Sequence, residues 1–214
     1  HTRLLPKSLK AAIDIAMNET PAVIQAQYQE QLARHTVDRL RGSLLPSAQL
    51  EATYQHRRDP ARGVQQSDTT QIVGRLSMPF YRGGQVHSQI RQAKHTHVSR
   101  LQDIHTARTT ARETAISAWS QLEASKGALV SDRAQVDANQ IALDGVREEE
   151  KVGQRTLLDV LNARQALLNS QVNLVSNKSN LVVASYNLLS AIGRLSAQEL
   201  SLSSKIYEPD VHYH

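Results

Sequence analysis

Nine histidines and the charged segment KVGQRTLLD (151–159) are the places in this 214-residue chain to look first for groups that could bind a metal, move a proton or fix a charge. His95 and His97 lie two positions apart, which on a helix turns them to different sides. His87, His97 and His105 have no carboxylate at ligand spacing. The histidines therefore read as solvated surface groups, and neither a metal nor another cofactor is expected. Thr156 and Asp159 have the spacing of a capping box, with Asp159 near the positive end of the helix that follows. Read locally, Asp159 is a helix cap and Arg155 a surface ion-pair partner. Gly83 and Gly84 lack the rest of a phosphate loop, no nucleophile elbow is present, and the absence of cysteine removes thiol chemistry and disulfides. No enzyme is expected.

The elements that carry these residues are long helices. Over 156–192 two apolar columns repeat every seven positions: Val160, Leu167, Leu174, Leu181, Leu188, and Leu161, Leu168, Val175, Val182, Leu189. At 3.5 residues per turn they lie roughly 100° apart. The column between them is mostly polar, with Arg164, Gln171 and Lys178. One neighbour cannot cover both columns, so the helix is predicted to be clasped on two sides, as in a sheet or tube of helices. Small residues (Ala163, Ser170, Ala184) flank the first column and let a backbone approach. A preceding helix runs without a proline from Gln85 to about Glu150, roughly 100 Å at 1.5 Å per residue. Its own column is Ala115, Leu122, Leu129, Val136 and Leu143. Val152 and Gly153 break it, giving a long antiparallel hairpin of 85–150 and 156–193.

Upstream, Ser8 caps a helix through Ile13 and Ala16, and Thr20-Pro21 starts a second that ends at Gly42. Val23, Ala26, Leu32 or Ala33, Val37 and Leu40 form its apolar side. The period then changes to two. Leu50, Ala52 and Tyr54 alternate with polar residues, as do Ile72, Gly74, Leu76, Met78 and Phe80, predicting a β-hairpin over 47–81 with a polar connection from Arg57 to Asp68. Strands of about ten residues with one apolar face have the form of membrane-barrel strands, with Tyr54, Phe80 and Tyr81 as interfacial aromatics. A water-soluble hairpin packed on a helix has the same pattern. Ser196 and Glu199 repeat a capping signal within a terminal segment, 194–214, whose end from Tyr207 is expected to be extended.

Net charge is +5 and the pI near 9.6, but basic residues are scattered among acidic ones. No run of about 18 apolar residues encodes a membrane helix, and no signal-peptide pattern is present. The chain begins at His1 rather than Met, so it is expected to be a fragment or processed form, with any export signal upstream.

The order helix, strand, strand, very long helix, long helix, with KVGQRTLLDVLNARQALL (151–168), LPSAQLEATY (45–54), LSMPFYRGG (76–84), AWSQL (118–122) and YEPDVHY (207–213), resembles the TolC-like outer-membrane efflux and secretion channels. The resemblance implies a mainly α fold with a two-stranded β element. It is one repeat, the second, of a trimeric channel-tunnel whose subunits each carry two: a transmembrane β-hairpin plus a helical hairpin. It implies a passive gated conduit from periplasm to exterior in an efflux pump or type I secretion system. Such a conduit would be homotrimeric when full length, would sit in outer-membrane lipid with a periplasmic extension, and would work with a periplasmic adaptor and an inner-membrane transporter. By motif position Arg155 would link the periplasmic gate, Asp159 would be the aperture carboxylate, Asn162 the neutral residue one turn on, and Lys151 would stand at a latch position held by an aromatic in some relatives. Asp159, Ala166, Asn173, Asn180 and Asn187 share a polar face that is expected to line the passage.

The competing expectation is a soluble basic coiled-coil scaffold that binds protein or nucleic-acid partners through residues such as Arg34, Arg39 and Arg41. The channel reading expects no nucleic acid.

Overall fold

The computed structural model describes residues 4–61, 64–197, 199–200 and 202. The terminal YEPDVHY segment lies outside the described residues. In chain order the elements are α1 (Leu9–Glu19), α2 (Pro21–Gly42), β1 (Ser47–Ala61), β2 (Val64–Ser77), α3 (Gln85–Lys151) and α4 (Leu157–Ala191). They fall into two units, His1–Ala26 with Ile104–His214, and Gln27–Asp103.

In the first unit, Ser8 caps α1 by accepting the Ala11 amide at 3.2 Å. Ala12 and Ala16, both fully buried, bring the α1 backbone close to Ala111 and Ala115 of α3 and to Leu188, Leu189 and Ile192. A core built from alanine needs close backbone approach, and the chain supplies it where α4 ends. Gly193 takes φ +79, and its N–H bonds the Ser190 carbonyl while Arg194 N–H reaches back to Leu189 O at 2.9 Å. A Cβ at Gly193 would meet the Thr20 Cα at 3.0 Å and the Glu19 carbonyl at 3.1 Å, so only glycine fits against the joint between α1 and α2. Arg194 then donates Nε and Nη2 to the two carboxylate oxygens of Glu19, each at 3.0 Å. That fork ties the end of α4 to the end of α1 and raises the Arg194 pKa further.

Toward the other end of this unit, α3 and α4 pack antiparallel. Leu122, Leu129 and Leu143 of α3 are buried, as are Leu167 and Leu188 of the first α4 column, while Val160, Leu174 and Leu181 are partly covered. Ser170 and Ala184 are the buried small residues of the seam. Two cross-links set the register: Asn177 Nδ2 donates to Asp132 at 2.7 Å and Asn139 Nδ2 to the Ala166 carbonyl at 3.2 Å. The second column behaves differently. Leu189 is buried, but Leu161, Leu168, Val175 and Val182 remain 52, 47, 65 and 54% exposed. One seam of α4 is filled and the other is open, at about 1 kcal/mol of unrealised burial for each half-exposed side chain.

In the second unit, Ala33 and Val37 of α2 and Val86, Ile90 and Ala93 of α3 are buried. Of the two candidates at 32 and 33 it is the alanine that faces inward; Leu32 is exposed. β1 and β2 pair antiparallel in a register that sets Leu50 opposite Gly74, Ala52 opposite Ile72 and Tyr54 opposite Thr70. The strands continue past the expected connection. Arg57 pairs with Ser67, Arg58 with Gln66, and Ala61 with Val64 after an irregularity. Most of 57–68 is therefore strand and not loop, and at its border the ladder is joined by side chains: the His56 imidazole bonds the Asp68 carboxylate directly opposite, and Tyr54 Oη reaches the same carboxylate at 3.4 Å. β2 ends at Ser77, so Met78, Phe80 and Tyr81 follow the strand and do not extend it. Gly83 and Gly84, both at positive φ, turn the chain into α3.

Candidate functional site: the helical turn and the exposed faces

The turn between α3 and α4 closes on Gly153, at φ +78. Its N–H and that of Gln154 bond the Glu150 and Glu149 carbonyls, each at 2.9 Å. Thr156 then caps α4. Its N–H and Oγ1 donate to Asp159 Oδ2 at 2.9 and 2.8 Å, and its Oγ1 accepts the Asp159 N–H at 3.3 Å. These bonds favour the ionised carboxylate. The Thr156 backbone N–H, then its hydroxyl, and then the nearby Arg155 charge hold the Asp159 pKa below its usual value.

The charges at the turn pair locally. Arg155 Nε donates to Glu149 Oε2 at 2.9 Å, across the glycine turn, and Lys151 Nζ to Glu148 Oε1 at 2.6 Å. Asn162 is exposed one turn into α4. The structure thus brings Lys151, Arg155 and Asp159 into one turn, with one Asp159 oxygen committed to the cap. Glu149 is the residue that sequence reasoning missed. Its signal was the acidic run REEEK (147–151) on the far side of a Gly-bearing break, placed so that a Schellman-type turn folds it back onto Arg155.

Asn173, Asn180 and Asn187 are exposed on one side of α4, the side of Asp159 and Ala166. Asn180 Nδ2 donates to Asn177 Oδ1 at 3.0 Å, and Asn177 carries on to Asp132. Asn180 and Asn187 line a shallow groove with Gln121, Ala124 and Ala128 of α3, so the amide face continues onto a face of small residues. A chain of neutral amides of this kind offers weak hydrogen bonds in every direction and no net charge.

On the β-hairpin, Leu50, Tyr54, Ile72 and Leu76 share one face and are each at least 68% exposed, while Gln49, Glu51, Thr53, Gln71 and Arg75 take the other. Tyr54 stands in mid-strand, where the apolar face gives way to His56 and Asp68; Phe80 and Tyr81 are 88% exposed just beyond the other end. β1 and β2, 15 and 14 residues long, are each long enough to contain a tilted membrane strand of roughly 9–11 residues. Neither outer edge of this two-stranded sheet has a strand partner among the described residues.

The histidines correct one expectation. His97 is not simply solvated: its Nε2 lies 2.6 Å from Glu30 Oε1, the pair half-buried between α2 and α3. A search along one helix could not find a partner 67 residues away. No helix among the described residues is long and apolar enough to cross a membrane, and no group of three potential metal ligands occurs among them.

Residues 12–194 match the family model described as outer membrane efflux protein. The outer membrane efflux protein BepC of Brucella suis is 38% identical over 213 residues, which cover 99% of this chain and 46% of that protein. The outer membrane protein TolC of Escherichia coli K12 is 27% identical over 217 residues, 95% of this chain and 44% of that one. The crystal structure of the Campylobacter jejuni CmeC outer membrane channel superposes with a TM-score of 0.76 at 15% identity, covering 91% of this chain and 43% of that one. The chain thus spans about half the length of the curated relatives it matches, and its fold is a single repeat of the channel-tunnel architecture. By the match across most of its length, the chain belongs to the outer membrane efflux protein family.

Proposed function

We propose that this chain is one repeat of an outer-membrane channel that forms a passive, gated conduit from periplasm to exterior, for an efflux pump or a type I secretion system. The observation that carries it is the β-hairpin: an apolar face left exposed on a sheet neither of whose outer edges has a strand partner among the described residues. In water such a face and such edges invite aggregation, and in lipid only a closed barrel satisfies them. Further strands, from a companion repeat and from symmetry copies, would complete the barrel, as a homotrimer of two-repeat subunits does.

Below the membrane, the α3–α4 hairpin serves as part of a periplasmic tube. The Asn173, Asn180 and Asn187 face lines its passage, and the turn bearing Lys151, Arg155, Asp159 and Asn162 lies at the gate. Since Glu149 holds Arg155, the gate charge is partly neutralised within the subunit. The partners are outer-membrane lipid, a periplasmic adaptor and an inner-membrane transporter that supplies the energy; the repeat itself performs no catalysis and needs no cofactor. The family match favours this reading over a basic coiled-coil scaffold, and Arg41, one of that scaffold's candidate contacts, is paired with Asp38 at 3.1 Å.

The test is a scan of single cysteines along β1 in a channel completed by a first repeat and reconstituted in liposomes. A polarity-sensitive label should report lipid at Leu50 and Ala52 and water at Glu51 and Thr53. Water at all four positions would end the membrane reading.

A further inference from the structure

The two faces of the α3–α4 hairpin border their shared seam with different charges. On the groove side the border is small or amide, and the Asp132 carboxylate there is bonded to Asn177. On the opposite side the bordering positions repeat every seven residues and carry Arg112, Lys126, Arg133 and Arg147 on α3 and Arg164 and Lys178 on α4, all exposed. Neither of these two columns contains an Asp or a Glu over 112–147 or 164–185. The α4 column is the polar one that runs between its two apolar columns.

The cross-link from Asn177 to Asp132 sets the relative height of the two columns. Arg133 and Lys178 each lie one residue further on, turned by about 100° to the far side of the seam. They therefore flank it at nearly the same height, on helices whose axes pack about 8–10 Å apart. By the cross-link from Asn139 to Ala166, Arg147 and Arg164 form a second such station, about 21 Å along α3 at 1.5 Å per residue. Paired helices ordinarily set opposite charges across positions of this kind, and here cation faces cation. Three and four residues either side of Arg164 and Lys178 stand only Leu and Val, so α4 supplies no counter-charge. Arg133, Arg164 and Lys178 have no ion-pair partner among the described residues. The α3 acids Glu123, Asp137 and Asp144 lie a column further out, two of them bonded to Lys126 and Arg147 of their own helix.

We propose that this cationic face docks an acidic polymer, the carboxylate-bearing peptide stems of the cell-wall glycan through which a periplasmic tube must pass. Two stations about 21 Å apart suit carboxylates spread along a chain and not a single small anion. Carboxylates placed there relieve the repulsion across the seam, and the exposure of all six cations lets a polymer reach them without opening the hairpin. The choice of occupant rests on the function proposed above: with the amide face turned to the passage, the cationic face is the outer surface of the tube. Failure of that reading would show in the conductance of a completed channel, which the sedimentation test below does not use.

The probe is the purified, protein-free cell-wall sacculus, and the readout is co-sedimentation of the full chain in mild detergent. The chain should pellet with sacculi at low salt and be released at about 0.3 M salt, where exposed charges are screened. Arg133→Glu with Lys178→Glu should weaken binding about tenfold or more, the scale of two exposed ion pairs turned repulsive. Arg133→Lys with Lys178→Arg should retain it. The charge-matched control, Lys10→Glu with Lys94→Glu at exposed positions outside this face, should bind as the parent does. No pelleting with native sacculi, or an equal loss in the control, would overturn the proposal. So would binding to polyglutamate but not to sacculi, which would point to an acidic protein instead. Sacculi with amidated carboxylates test the same contact on the unaltered chain, and binding retained there would overturn the proposal whatever the variants do.

Discussion

Replacing Gly193 with alanine isolates how the end of α4 is locked to the joint between α1 and α2. Two costs add at this position. The residue sits at φ +79, where an L side chain costs about 1–2 kcal/mol. The new methyl would also lie 3.0 Å from Thr20 Cα and 3.1 Å from both Glu19 O and Pro21 Cδ, two of them backbone atoms that cannot swing aside, which adds about 1–3 kcal/mol of overpacking. Against these stands about 0.4–1 kcal/mol gained by restricting the unfolded chain. The net expectation for Gly193→Ala is a loss of about 2–4 kcal/mol. Gly153→Ala is the matched control: φ +78, but nothing within 4 Å of the added carbon, so its net loss should be about 1 kcal/mol or less. Urea unfolding of the detergent-solubilised chain, followed by helical circular dichroism, compares the two. If Gly193→Ala unfolds no more easily than Gly153→Ala, the close approach at the joint does not hold the unit together.

Two further outcomes follow from the turn and the amide face. Thr156→Val removes the hydroxyl of the capping box and should cost about 1 kcal/mol, seen as fraying of the first turn of α4 by amide exchange. Because the folded Asp159 pKa is lowered, its share of the cap is fully present above the ordinary carboxylate range and is lost as pH falls through the lowered value. An NMR titration of the Thr156 amide should show that midpoint, and a midpoint at or above the ordinary aspartate value would contradict the geometry. In a completed channel, Asn180→Asp should raise selectivity for cations in single-channel recordings, and unchanged selectivity would take this face out of the passage.

Much of the fold was legible in local signals. Ser8, Thr156 with Asp159, and the glycines at 153 and 193 mark helix ends through groups within four residues of one another, and such signals survive in one dimension. The two α4 columns were equally plain, because a strict heptad states which faces are apolar. It does not say which of them this chain covers; that depended on the Leu, Ala and Ser positions of α3. The rest depended on distance. Arg194 meets Glu19 across 175 residues and His97 meets Glu30 across 67, and no spacing rule reaches that far. The strand continuation through Arg57 and Asp68 was hidden because polar residues do not alternate in hydrophobicity, and only the facing strand reveals that His56 and Asp68 are opposite. At the turn between α3 and α4, Arg155 and Asp159 were singled out by motif, whereas Glu149 required the turn to be folded before it came within reach of Arg155.

The account turns on α4 being held on both flanks in the assembled protein. Spin labels placed at Leu168 and Val175 on the open column, and at Asn173 and Asn180 on the amide face, can be read for water accessibility in the channel completed by a first repeat and embedded in lipid. The account predicts that the column goes dry while the amide face stays wet. Water at Leu168 and Val175 in that assembly would contradict it.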